Sequence, residues 1–187
     1  LLNKVHFSEV DMNKTVTSEQ EIIATAQALL LEKGAGALTM RSVAAACGVA
    51  VGSIYNYFPS KGALIGTTIE SVWTEIFRPF MAETAYDSFA GCVEALLSAL
   101  ADGDARHPGF FSVHALSFAA GEKDAGRALM ARCFSHLREK MMKVLEADAQ
   151  VRAGVFDGDL SREAFIEYVL QLAIMQQRRG SGEDAAL

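Results

Sequence analysis

Apolar side chains recur every three to four residues along most of the chain, which is the spacing of amphipathic helices. In the first such segment Ile22, Ala26, Leu29 and Leu30 fall on one helical face. Alternating apolar and polar runs, which are typical of strands, are scarce, while Ala, Leu, Glu, Met and Arg fill the long segments. The pattern therefore predicts an all-α chain.

Capping and turn residues divide the chain into eight predicted helices. Thr17 or Ser18 can cap the first helix and Thr39 the second, whereas Gly34 and Gly48 end them. Asp102-Gly103-Asp104 is predicted to be a turn, and Arg78-Pro79 to interrupt the fourth helix. The predicted helices cover about 18–33, 39–47, 51–57, 61–78, 87–101, 108–120, 123–150 and 161–178.

The second and third helices are short, are joined by a tight turn and follow a longer helix, which is the helix-turn-helix arrangement. Gly48 can supply the left-handed turn residue, and Ile54 and Phe58, four residues apart, can anchor the third helix from beneath. The opposite face of the third helix is then free to enter a major groove. That face carries Ala50, Val51, Ser53, Asn56 and Tyr57.

The sequence from Thr39 to Leu64, TMRSVAAACGVAVGSIYNYFPSKGAL, resembles the signature of the tetracycline-repressor (TetR) family. Cys47 stands where the family usually has Ala, and Tyr57 fills a position that takes His or Tyr. Several residue types recur at fixed offsets, which makes the motif specific. The resemblance implies an N-terminal arm at 1–16, a helix-turn-helix DNA-binding domain at 17–64 and a helical ligand-binding and dimerisation domain at 65–187.

The resemblance also implies residues that contact the DNA backbone. Thr39, Tyr55, Tyr57 and Lys61 correspond to phosphate contacts in the family, and Lys61 also lies at the positive N-terminus of the fourth predicted helix. The family function is that of a transcriptional regulator, more often a repressor, which binds a double-stranded DNA operator and is released by a small effector.

Other positions correspond to contacts with the backbone or with base edges, namely Arg41, Ser53 and Asn56. Val51 can pack on a thymine methyl group, and Gly52 permits close approach to the strand. Neither Ala50 nor Gly52 has a side chain that can recognise a donor or an acceptor. We therefore expect few direct hydrogen bonds to bases and some specificity through DNA shape.

The overall charge argues against a nucleic-acid binder, because the formal net charge is -6 and the pI about 5.2. The charge is unevenly divided, however. Residues 17–64 contain three basic and three acidic side chains and 1–16 contain two of each, so residues 65–187 carry the whole deficit. We expect a neutral DNA-binding domain with an unusually shallow salt dependence, roughly two to four released charges per half-site.

The central helices are rich in aromatic residues, with His114 among them. Ordinary core packing explains such residues one by one, but an aromatic interior with a few polar groups also suits a small, largely apolar effector. The resemblance implies a pocket in this region, between the fourth and the seventh predicted helices. Its candidate lining residues are Phe77, Phe110, Phe111, His114, Phe118, Cys133, Phe134 and Leu137.

The last predicted helix has apolar residues over more than half of its circumference, too many for one-sided packing. The helix at 123–150 carries a second apolar stripe, consisting of Met130, Phe134, Leu137, Met141, Val144 and Leu145. Two such helices from each of two subunits can form a four-helix bundle, as the family does. We expect a homodimer through the helices near 123–150 and 161–178.

Other function classes are less well supported. Three separated cysteines suit reduced thiols in a cytoplasmic protein, no apolar run reaches membrane-spanning length, and residues 1–14 lack the apolar stretch of a signal peptide. No GxSxG motif is present, so we expect no enzyme and no cofactor. Three alternatives remain: an all-α enzyme with a reactive pair in the pocket, a helical dimerisation module without strong DNA binding, and a metal-sensing regulator that uses His107, His114, Cys133 and His136.

Overall fold

Seven α-helices and no strand make up the part of the chain that the computed structural model describes, which is residues 17–108, 110–111 and 123–180. A short 3₁₀ helix (Ala35–Ala37) follows the first of them. The helices are α1 (Glu19–Lys33), α2 (Met40–Cys47), α3 (Val51–Tyr57), α4 (Lys61–Ala82), α5 (Phe89–Arg106), α6 (Lys123–Ala147) and α7 (Arg162–Gly180). The all-α prediction is confirmed. Phe110 and Phe111 are helical, and the rest of the predicted 108–120 helix lies outside the described residues.

The helix-turn-helix forms for the local reasons that the sequence indicates. The Ser18 hydroxyl accepts a hydrogen bond from the Glu21 amide at 3.2 Å and the Glu21 carboxylate accepts one from the Ser18 amide at 2.8 Å, which closes a capping box at α1. Thr39 caps α2 in the same way. Gly48 ends α2 at φ 68°, in the left-handed region predicted for it.

Two helix ends differ from their predictions. The interruption expected at Arg78-Pro79 is wrong, because α4 continues through Pro79 to Ala82. The Lys140 ammonium group binds the carbonyl oxygens of Phe80 (2.6 Å), Met81 (3.2 Å) and Glu83 (2.5 Å), so α6 satisfies the groups that the last turn of α4 leaves open.

The turn predicted at Asp102-Gly103-Asp104 is also wrong, since α5 runs through these residues to Arg106. Gly103 is buried where α5 crosses α4, and a Cβ atom there would lie 2.8 Å from Ile76 Cγ1 and Cγ2. The glycine therefore permits close helix packing instead of reversing the chain.

Two hydrophobic cores are joined by α4. The first lies among α1, α2, α3 and the start of α4, with Ile22, Val43, Ile54 and Leu64 fully buried. The second contains Leu30 of α1 and the side chains of α4 from Ile69 onward, and it extends through α5, α6 and α7. Since α4 contributes side chains to both cores, it connects them physically.

The apolar stripe of α6 lies inside the chain. Phe134, Leu137, Met141 and Leu145 are buried in the second core, because α6 packs against both α4 and α5. These side chains pack within one subunit and are not free to face a second one, so the stripe is not the pairing surface expected from the sequence, while pairing through α6 and α7 stays a prediction. On α7, by contrast, apolar side chains occupy both the buried face and the exposed face. None of the described helices is long and apolar enough to cross a bilayer.

Candidate functional site

Helix α3 presents a polar and aromatic outer face above a buried anchor. Ile54 and Phe58 are buried in the first core, as predicted. On the other side Tyr55 is 52% exposed, Tyr57 is 41% exposed and Asn56 is also exposed. Exposure of two tyrosines on so short a helix leaves their rings available to a partner.

The ten residues predicted to contact DNA lie on α2, the turn, α3 and the first turn of α4, and none of them is buried. Those that are half-buried are Thr39, Val51 and Ser53, and those that are exposed are Arg41, Ala50, Gly52, Tyr55, Asn56, Tyr57 and Lys61. Lys61 directly follows Ser60, whose hydroxyl caps α4 by accepting from the Ala63 amide at 3.1 Å. The cationic side chain thus lies at the positive end of a 22-residue helix.

Gly52 has no packing reason to be glycine. A Cβ atom built at this position meets nothing within 4 Å, and the residue is exposed on the outer face of α3. Glycine lowers helix stability relative to alanine. Its presence is consistent with close approach of another molecule to this face.

Tyr57 has an intramolecular role that the sequence did not indicate. Its hydroxyl donates a 2.7 Å hydrogen bond to the backbone carbonyl of Thr17, just before α1. A phenol has one hydrogen to donate, so this bond and a bond donated to a phosphate exclude each other. The 40-residue separation of the partners explains why no local pattern could reveal the contact.

Residues 22–67 match the family of bacterial regulatory proteins named after TetR. This match covers α1, α2, α3 and the first turns of α4, and the resemblance drawn from residues 39–64 is confirmed. The chain therefore carries the N-terminal domain of the TetR family. Its helix-turn-helix is accordingly of the DNA-binding type.

Longer matches extend beyond this domain. The chain is 26% identical to the nucleoid occlusion factor SlmA of Glaesserella parasuis serovar 5 (strain SH0165), over 68% of this chain and 64% of that protein. It is 27% identical to the HTH-type transcriptional repressor KstR2 of Rhodococcus jostii (strain RHA1), over 82% and 74%. It thus spans less than two thirds of the length of the SlmA relative.

The fold agrees with a solved structure of a protein bound to DNA. The crystal structure of BioQ with its double-stranded DNA operator superimposes with a TM-score of 0.56 at 24% identity, covering 88% of each chain. At this level of identity the likeness extends to the fold. The chain shares an all-helical architecture with BioQ.

A cleft of about 680 Å³ lies between α4 and α6. Its volume falls within the range of about 300–1,000 Å³ that is usual for small-molecule sites. Apolar side chains form most of the surface, with polar groups among them. The lining residues are Glu70, Trp73, Thr74, Phe77, Arg78, Met81, Ala82, Arg132, Ser135, His136 and Leu137.

The residues predicted to line a pocket are divided between this cleft and the core. Phe77 and Leu137 line the cleft. Three others pack edge-on around Trp73 at ring-centroid distances of 5.2 to 5.4 Å and are buried, namely Phe110, Phe111 and Phe134. His114, Phe118 and the side chain of Cys133 lie outside what the structure describes.

Sequence reasoning missed the two arginines of the cleft. Glu70, Thr74, Arg78 and Ala82 are spaced by four residues, so they follow one line along α4. Arg132 is placed opposite that line only by the packing of α6 against α4. A helical-wheel plot of α4 alone reveals the Arg78 position, but it gives no indication of Arg132.

Two of the suggested metal ligands have other partners. His107 is buried at the end of α5, with its Nε2 atom 3.4 Å from Glu75 Oε2. Burial lowers the pKa of His107, the Glu75 carboxylate opposes this shift and Arg106 adds to it. His136 is exposed, 3.8 Å from Glu139. Within the described residues, no three possible ligands come together for a metal ion.

Proposed function

We propose that this chain is a homodimeric transcriptional repressor that binds an operator in double-stranded DNA and dissociates from it when a small effector binds. One observation carries the proposal: α3 is anchored by Ile54 and Phe58, while Tyr55, Asn56 and Tyr57 remain exposed on its outer face. A helix held in this way can enter the major groove.

In this proposal the phosphate contacts come from Thr39, Tyr55, Tyr57 and Lys61. Asn56, Ser53 and Arg41 face base edges or the backbone. If the Tyr57 hydroxyl donates to a phosphate, its hydrogen bond to the Thr17 carbonyl breaks. If that hydrogen bond persists, the Tyr57 ring makes the contact with the DNA backbone instead. The open space around Gly52 supports close approach of α3 to a strand.

The exposed face of α7 supports pairing of two subunits. Tyr168 (56% exposed), Leu172 (65%) and Met175 (53%) form an apolar stripe at helical spacing. They lie opposite the buried side chains Ile166 and Leu170 of the same helix. We propose that α7 supplies the apolar centre of the dimer interface, and that α6 contributes its outward face rather than its buried stripe.

The division into two cores supports a boundary near residues 64 and 65, between a DNA-binding domain at 17–64 and a sensor and dimerisation domain at 65–187. Repression is proposed by similarity to KstR2, which is named as a repressor. An effector that binds better to a conformation with wrongly spaced α3 helices lowers DNA affinity by linkage. We place this activity in the cytoplasm, with the chromosome.

A mobility-shift titration with the promoter region of the protein's own gene tests this function. We expect the wild-type chain to retard the fragment, and the Tyr57→Ala, Lys61→Ala double variant to lose the shift. Lys143→Ala removes an exposed lysine on α6, far along the chain from the helix-turn-helix, and should bind as the wild type does. A dimer that retards no fragment would instead favour a dimerisation module without strong DNA binding.

A further inference from the structure

The cleft between α4 and α6 combines an apolar floor with two arginines. Trp73, Phe77 and Leu137 are buried and form the floor. Arg78 on α4 and Arg132 on α6 are exposed lining residues. The site therefore differs from the largely apolar pocket predicted from the sequence, whose candidate lining contained no arginine.

Neither arginine makes an ion pair or a side-chain hydrogen bond with another described residue. The neighbouring cationic side chains, Arg138 and Lys140, already have hydrogen-bond partners within the chain. Arg138 Nε donates a 2.6 Å bond to Glu167, and the Lys140 ammonium group is held by three carbonyl oxygens at the C-terminal end of α4. Arg78 and Arg132 are thus the available guanidinium groups at this site among the described residues.

The local charge is opposite to that of the surrounding domain. Residues 65–187 carry all six excess negative charges of the chain. The cleft, however, is lined by two arginines and by one carboxylate, that of Glu70. An anion in the cleft is therefore favoured over a neutral molecule of the same shape.

We propose that the effector is a small amphipathic anion whose head group is held by Arg78 and Arg132 and whose apolar part covers Trp73 and Phe77. Guanidinium groups bind carboxylates and phosphates through paired, charge-assisted hydrogen bonds. The inference rests on the proposed function, because it gives the chemical class of that function's effector.

The position of the two arginines also connects binding to regulation. Arg78 belongs to α4, which extends into the DNA-binding domain, and Arg132 belongs to α6 of the second core. An anion that engages both side chains links the two helices directly. Binding then favours one relative placement of α4 and α6, which is the differential interaction that an effector requires.

Trp73 is the single tryptophan of the chain and lines the cleft, so its fluorescence reports on binding without a label. We would titrate the full chain with decanoate, decyl phosphate and 1-decanol below their micelle or solubility limits. At least one of the two anions should bind about tenfold or more tightly than the alcohol. Which anion binds more tightly distinguishes a carboxylate effector from a phosphate one.

Arg78→Gln and Arg132→Gln should each reduce that preference to less than about threefold and leave the affinity for 1-decanol unchanged, which also shows that the variants fold. Arg152→Gln, which removes an exposed arginine outside the cleft, should bind like the wild type. The proposal is overturned if the alcohol binds as tightly as both anions, or if the anion preference survives loss of both arginines.

The mobility-shift assay separates this inference from the proposed function. If the protein binds DNA and 1-decanol releases it as effectively as the anions do, the effector class is wrong and the function stands. If the anions bind through the two arginines but the protein retards no fragment, the anion site stands and the proposed function fails.

Discussion

The Tyr57 hydroxyl donates a 2.7 Å hydrogen bond to the Thr17 carbonyl, so a residue at the end of α3 also holds the chain just before α1. The same side chain is a proposed phosphate contact. Its two roles can be separated experimentally, because the hydrogen bond affects stability and the phosphate contact affects DNA affinity.

Tyr57→Phe should lower the free energy of unfolding by about 0.5–1.5 kcal/mol, because it removes the hydroxyl and keeps the ring. Tyr55→Phe is the matched control: the Tyr55 hydroxyl makes no hydrogen bond to another described residue, so stability should be unchanged while DNA affinity falls. Urea unfolding of both variants gives the comparison. Equal stability of Tyr57→Phe and the wild type would contradict the structural role.

Gly103→Ala should destabilise the protein by about 1–3 kcal/mol in spite of alanine's better helix propensity, because its Cβ would meet Ile76 at 2.8 Å. Gly52→Ala adds the same methyl group to a helix at an open position. It should leave stability unchanged or raise it by up to about 1 kcal/mol and should weaken DNA binding. Thermal unfolding and mobility shifts of the pair test both statements, and a stable Gly103→Ala variant would argue against the close crossing of α4 and α5.

The dependence of DNA affinity on salt should be shallow, roughly two to four released charges per half-site, because the DNA-binding domain is neutral. Lys61→Ala should weaken binding to all sequences alike and reduce the slope by about one per half-site, whereas Asn56→Ala should relax base preference. Fluorescence anisotropy at several salt concentrations measures the slope. A slope of about a dozen charges for the dimer would rule out the weak electrostatic contribution proposed here.

Leu172→Glu should convert the dimer to monomers, because it places a charge in the centre of the exposed apolar stripe of α7. Val155→Glu is the control, since Val155 is an exposed apolar residue outside the helices. Sedimentation velocity distinguishes the two oligomeric states. If Leu172→Glu remains dimeric with normal stability, the interface lies elsewhere.

Stability should fall as the pH decreases from about 7 to about 5.5, in part because of His107. Its folded-state pKa is lowered by burial, so the unfolded chain binds more protons in this range and acid favours unfolding. His107→Gln should show a shallower pH dependence, whereas His136→Gln, an exposed control, should behave as the wild type does. Parallel slopes for the His107 variant and the wild type in urea titrations would exclude this contribution.

Much of the fold could be predicted because its determinants are local. Ser18, Thr39 and Gly48 act through residues at most a few positions away, and the motif around α3 has fixed offsets. The errors occur where distant packing decides the outcome. Lys140 completes the end of α4 from 57 to 60 residues away, and Gly103 is used for contact with Ile76 rather than for a turn.

The candidate site was predictable in the same uneven way. The exposed residues of α3 follow from helical periodicity, but the contact between Tyr57 and Thr17 depends on how α1 and α3 pack. In the second core, the sequence pattern identified the aromatic residues. It did not indicate which of them pack around Trp73 and which line the cleft. The presence of Arg78 and Arg132 in one cleft depends on the placement of α6 against α4.

The two cores are joined by a rod instead of a flexible linker, since α4 is a continuous helix of 22 residues. At 1.5 Å per residue it is about 33 Å long, so a tilt of about 5° about one end displaces the other end by about 3 Å. The Gln27 side-chain amide donates to Ser71 and Glu75 of this helix, at 3.0 and 3.2 Å, which fastens α1 to it. If binding at the proposed effector site tilts α4, the helix would therefore carry α1 and the helix-turn-helix with it as one body.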